Sequence, residues 1–164
     1  MRSNEVLLDA FGRLPELVEG AVSGLSPEQL RWVPAEGANP IGWLVWHLTR
    51  VQDSHVAELL DADEVYRTGG WASRFGGVED TGYGHTPAQV RALAPESAQA
   101  LLDYYAEVHR RTISFLEGVK DEDLDRVVDE RWDPPVTLGV RLVSVYDDDA
   151  QHAGQAAYVR GLLT

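Results

Sequence analysis

Trp43-Leu44-Val45-Trp46-His47-Leu48-Thr49-Arg50 is an apolar, helix-forming stretch with one imidazole set in its middle. Its counterpart lies about a hundred residues further on, in Asp147-Asp148-Asp149-Ala150-Gln151-His152-Ala153-Gly154-Gln155. On a helix, four residues overshoot a full revolution by about 40° and rise roughly 6 Å, so Asp148 and His152 project from one face as neighbours. Asp147 and Asp149 point about 100° to either side of that face. Two imidazoles and one carboxylate, brought together from two helices, can hold one face of a divalent ion and leave other coordination positions open. His47, Asp148 and His152 are therefore the candidate metal ligands, and any catalysis is expected to act through the ion they hold.

The apolar period of the surrounding chain is helical. Val6, Leu7, Ala10, Leu14, Leu17, Val18 and Ala21 recur at intervals of three and four, with Pro15 as a kink point and Gly24 as the close. Ser26-Pro27-Glu28-Gln29 carries a capping signal for one or two turns. Asn39-Pro40 opens a second long helix through Leu60, with Asn39 as its cap and His47 in its middle. Between about Asp61 and Thr86 the periodicity stops, and Gly69-Gly70-Trp71, Phe75-Gly76-Gly77 and Gly82-Tyr83-Gly84 make a long connection of the kind that is usually functional. Thr86-Pro87-Ala88-Gln89 restarts a helix, and Ser97 to about Leu116 gives a third long one that Gly118 ends. Leu124 to Val136 reads as a short helix and a structured loop, followed by a last helix from about Thr137 to Leu163. No strand pattern of useful length is present. The prediction is an all-α four-helix bundle with a long crossover between helices two and three, residues 1–164 forming one domain.

Composition restricts the function. The chain has 164 residues, 44% of them hydrophobic, and a formal net charge of −13 from 27 acids against 14 bases. Such an acidic surface repels phosphate backbones and anionic lipid, so neither nucleic acid nor a membrane is an expected partner. There is no cysteine, which removes thiolate metal cages, disulfides and a cysteine nucleophile; any thiol chemistry must use a thiol from outside. The N-terminus has no signal-type apolar block, and a cytoplasmic location is expected.

Other residues near the two motifs have plainer readings. Gln155, three residues after His152, is placed to hydrogen-bond a ligand histidine and fix its ring. His55 lies two turns beyond His47 but about 80° off the same stripe, and His85 and His109 have no partner at ligand spacing, so structural or surface roles are expected for all three. Trp43 and Arg50 flank His47 and could line a cavity mouth, while Arg50 with Asp53 reads as a surface ion pair. The run Asp147-Asp148-Asp149, taken by itself, reads as a solvated face. Trp71, Tyr83 and Trp132 fall in loops, where they could wall a pocket for an apolar electrophile or cover the bundle ends.

The W-x-x-W-H-L helix, Trp43 to Leu48, combined with D-x-x-x-H-x-G-Q, Asp148 to Gln155, resembles the DinB-like superfamily of metal-binding four-helix bundles over almost the whole chain. The commoner terminal pattern in that superfamily is H-x-x-x-H-x-G-Q. Asp148 at the first ligand position looks like the arrangement in mycothiol-dependent maleylpyruvate isomerases, and the two segments look closest to an actinobacterial subgroup that includes mycothiol S-transferases. The single lysine, Lys120, among 14 basic residues is in keeping with a GC-rich actinobacterial genome. The resemblance implies a divalent metal at His47, Asp148 and His152, Zn2+ first and Ni2+, Fe2+ or Mn2+ as alternatives, with mycothiol as co-substrate in a detoxifying transfer. A metal-bound thiolate can attack an alkyl halide, epoxide or activated alkene at neutral pH. Two other classes stay open: a different 2-His-1-carboxylate metalloenzyme, isomerase or oxygenase, and a non-catalytic metal-binding stress-response bundle. A homodimer through an exposed helix face is also expected.

Overall fold

Proline and glycine punctuation divides the chain into its helices. The computed structural model describes residues 2–163. The first amphipathic stripe is two helices, α1 (Ser3–Gly12) and α2 (Leu14–Val22), because Pro15 in the first turn of α2 has no N–H to continue the ladder across Arg13. After α3 (Pro27–Leu30), capped by Ser26 and Gln29 as predicted, α4 runs over Ile41–Leu59. Its cap is Pro40 rather than Asn39, since Pro40 keeps an extended ψ of 159° and the helix starts one residue later.

The crossover holds more structure than its glycines suggest. It contains α5 (Val65–Thr68), a 3-10 turn over Trp71–Phe75 and α6 (Pro87–Ala92), whose Thr86 and Gln89 cap each other. Next come α7 (Ala98–Gly118), capped by Ser97, and α8 (Leu138–Leu162), capped by Thr137. Between α7 and α8 the sequence predicts a short helix and a loop. Only a 3-10 turn, Asp121–Asp123, forms there, followed by a small antiparallel hairpin of β1 (Val127–Asp129) and β2 (Val136–Thr137). Buried Asp129 explains the hairpin: it ties β1 to Arg141 of α8 through a 3.1 Å hydrogen bond and to Arg131 at 2.8 Å.

In the bundle α4 and α2 each pack against both α7 and α8, closing a ring around one apolar core that includes Phe11, Val18, Leu48, Val108 and Leu142. The all-α four-helix bundle with a long crossover expected from the sequence is the fold observed. Among the described residues no helix is long and apolar enough to cross a membrane. From Ile41 to Arg50 every residue of α4 is buried, not merely one stripe, because the crossover covers the side that α7 and α8 leave open.

Two readings of charge need correction. Arg50 and Asp53 are not a surface pair; their side chains are 1% and 0% exposed, 3.6 Å apart, under the crossover. Asp53 accepts the Val65 and Tyr66 amides at 2.9 and 2.8 Å and the Tyr104 hydroxyl at 2.9 Å. Arg50 donates to the carbonyls of Glu79 and Asp80 at 3.4 and 3.2 Å and to the Glu64 carboxylate at 3.1 Å. The crossover's backbone supplies partners that no i, i+3 spacing reveals. Asp149 likewise leaves the solvated run: it is fully buried with neither oxygen hydrogen-bonded, and burial pushes its pKa up from the ordinary carboxylate value.

Removing the guanidinium leaves buried acceptors uncompensated. Arg50→Met is expected to lower the unfolding free energy by about 3–5 kcal/mol in urea denaturation, whereas Glu117→Gln on the exposed face of α7 should stay within about 0.5 kcal/mol of the parent.

Candidate metal centre

His47 comes from the buried middle of α4, and Asp148 and His152 come from one face of α8, the helix packed against it. One ligand atom from each of the three lies within 4.8 Å of the other two. The imidazole rings stand 5.0 Å apart, centre to centre, at 76°. His152 Nε2 is 3.6 Å from Asp148 Oδ1, too far for a hydrogen bond.

Each imidazole already has its Nδ1 engaged. His47 Nδ1 meets the Thr81 carbonyl at 2.5 Å, and His152 Nδ1 meets Gln155 Oε1 at 2.8 Å. Both oxygens can only accept, so each Nδ1 carries a proton and the neutral ring presents a lone pair at Nε2. Burial pushes the His47 pKa below the ordinary imidazole range and favours that neutral form. The consequence is electrostatic. Two acceptors, His152 Nε2 and Asp148 Oδ1, face each other with no proton between them, and Asp148 Oδ2 is buried without a hydrogen-bond partner. An unmet buried acceptor costs about 1–3 kcal/mol. A divalent cation among the three ligands relieves both defects, so the donor set fits a metal ion.

The crossover builds the support around His47. Asp80 Oδ1 accepts from the Gly82 amide and from His85 Nε2, both at 2.7 Å. His85 Nδ1 in turn accepts from Trp43 Nε1 at 3.1 Å, and the Trp43 ring stacks on His47 at 4.5 Å. Through the Asp80 carbonyl, buried Arg50 holds the segment whose next residue, Thr81, orients His47. Thr81, Asp80 and His85 escape a sequence reading because their contacts are a backbone carbonyl and turns within the crossover. Gly82 is the one signal available: its φ is +87°, and an added Cβ would lie 2.8 Å from the Trp46 ring and 3.0 Å from His47 Nδ1.

Beside the triad is a cavity of about 420 Å³, bordered by His47, Asp148, His55 and Thr81, with Tyr83 at its rim. A separate cleft of about 660 Å³ is lined by Leu44, Gln155 and Tyr158 and by none of the three candidate ligands. Of the remaining residues singled out from sequence, Arg50 is buried away from any mouth, and Trp71 is packed against Tyr104 rather than walling a pocket. Trp132 is exposed on the hairpin loop and His109 stacks on Tyr105.

Metal content measured by mass spectrometry should fall to background in His47→Ala and His152→Ala, drop in Asp148→Ala and persist in Asp148→His. Gln155→Leu, which frees the His152 ring, is expected to weaken metal affinity about 10- to 100-fold in a chelator competition.

Comparison with known proteins places the fold. A solved structure, that of a conserved protein of a locus from Enterococcus faecalis, matches with a TM-score of 0.89 and 32% sequence identity, covering 99% of this chain and 97% of that one. No curated protein matches. The family model described as the DinB superfamily matches residues 10–156, a span that includes all three candidate ligands and Gln155. The chain belongs to the DinB superfamily.

Proposed function

We propose that this protein is a metal-dependent transferase that joins a low-molecular-weight thiol, mycothiol first among the candidates, to an electrophilic small molecule. The observation that supports it is a three-ligand site rather than a four-ligand one, with both imidazole Nε2 atoms free and a cavity alongside. Structural metal sites close their shell with protein atoms, whereas catalytic sites keep a position for water or substrate. When bound, a divalent ion there would lower the pKa of a coordinated thiol and so supply thiolate at neutral pH.

The chain's own residues do the rest. Thr81 and Gln155 hold the two rings in the tautomer that can ligate. Asp148 contributes the single negative charge of the set, leaving a cationic centre suited to an anionic sulfur. The cavity bordered by His47 and Asp148 can hold the electrophile against the thiol, which converts their encounter into a reaction between held neighbours. Because the protein has no cysteine, the sulfur must come from the co-substrate.

The test starts with untagged protein. About one zinc per chain, lost in His152→Ala, followed by metal-dependent consumption of a bimane electrophile with mycothiol, is the expected outcome. Iron together with oxygen-dependent turnover and no thiol consumption would overturn the transfer reading in favour of an oxygenase.

A further inference from the structure

We propose that the cavity beside the triad selects electrophiles whose reactive carbon is activated by a carbonyl, and that His55 Nε2–H is the hydrogen-bond donor to that carbonyl oxygen. The chemistry rests on the thiol-transfer reading; the binding preference does not.

The tautomer of His55 is fixed by a neighbour that can only donate. Arg141 Nη1 lies 2.9 Å from His55 Nδ1, and a guanidinium has no acceptor atom, so Nδ1 must offer its lone pair and the ring's proton must sit on Nε2. Glu58 Oε2 is 3.9 Å from the same Nδ1, beyond hydrogen-bond reach, and takes a 2.7 Å bond from Arg141 instead. Arg141 is itself buried and held at 3.1 Å by Asp129. Burial and the Arg141 charge both push the His55 pKa down, which keeps the ring neutral. Among the described residues nothing accepts from Nε2, although the ring lines the same cavity as His47 and Asp148.

The other walls fit the assignment. Val51 and Val145 are apolar, Ser54 adds one hydroxyl, and Ser144 has spent its proton on the Val140 carbonyl at 2.9 Å. An oriented N–H beside two valines recognises an oxygen acceptor and does little for a bare alkyl halide. In addition to an α,β-unsaturated ketone, the sulfur–carbon bond forms at the β-carbon and the alkene pair moves toward oxygen. His55 stabilises the developing negative charge without giving up its proton, and the proton released by the thiol returns to the α-carbon through solvent.

Ring 15N NMR of zinc-loaded protein, titrated with cyclohexanone and with methylenecyclohexane, tests this without any thiol. The expected result is an Nε2-protonated His55 whose signals move with the ketone but not with the hydrocarbon. His55→Leu should bind cyclohexanone about 3- to 10-fold more weakly, and His55→Gln, which can accept from Arg141 and still donate, should recover most of that loss. Unchanged ketone affinity in a folded His55→Leu, or a proton on Nδ1, would overturn the inference. Ketone binding through His55 with no thiol transfer would leave the inference standing and overturn the transferase reading. If transfer occurs, cyclohexenone turnover with mycothiol should fall about 100-fold in His55→Leu.

Discussion

The buried pair of Arg50 and Asp53 on α4 is the constraint on which the rest of the structure depends. Both side chains are sealed from solvent, and besides each other and Tyr104 of α7 both find their partners in the crossover. Burying charges is costly unless each finds well-placed partners, so the crossover has to close over α4 in one conformation. That closure allows α4 to be buried around its whole circumference from Ile41 to Arg50, and it delivers the Thr81 carbonyl to His47. Fold and site are thus joined by one ion pair, and the long connection works as the fifth wall of the bundle.

Much of this was legible in the chain. The bundle follows from helical periodicity, and the triad from two short motifs whose spacing leaves little freedom. Two caps were readable too, because Ser26 and Thr86 each sit one residue before their helix, whereas Asn39, which also reads as a cap, sits two before its own. What was not legible depends on tertiary partners. Arg50 and Asp53 have the spacing of a surface pair, and Asp149 sits in an acidic run, yet all three are buried. Burial of a polar residue is decided by what packs over it, and a local pattern carries no record of that. The hairpin after α7 was missed for a related reason: its two short strands are held by the Asp129 contacts to Arg131 and Arg141, not by any alternation of their own.

The two histidine rings are oriented in different ways. His152 takes its support from Gln155 on the next turn of the same helix, a contact that survives any movement of α8 as a unit. His47 takes its support from a separate segment, so its orientation depends on the crossover staying in place. The site therefore has one rigid arm and one that senses the loop.

The contact between Thr81 and His47 has a consequence for how this segment can diverge. The partner of the ring is a main-chain oxygen, which every residue type supplies, so the threonine side chain is not what the ring contacts. The restriction falls instead on the next position, where Gly82 has a left-handed backbone and no room for even one carbon against Trp46 and His47. Divergence in this loop is thus expected to spare the glycine while the residue that touches the histidine drifts, an inversion of the usual rule that the contacting side chain is the one retained.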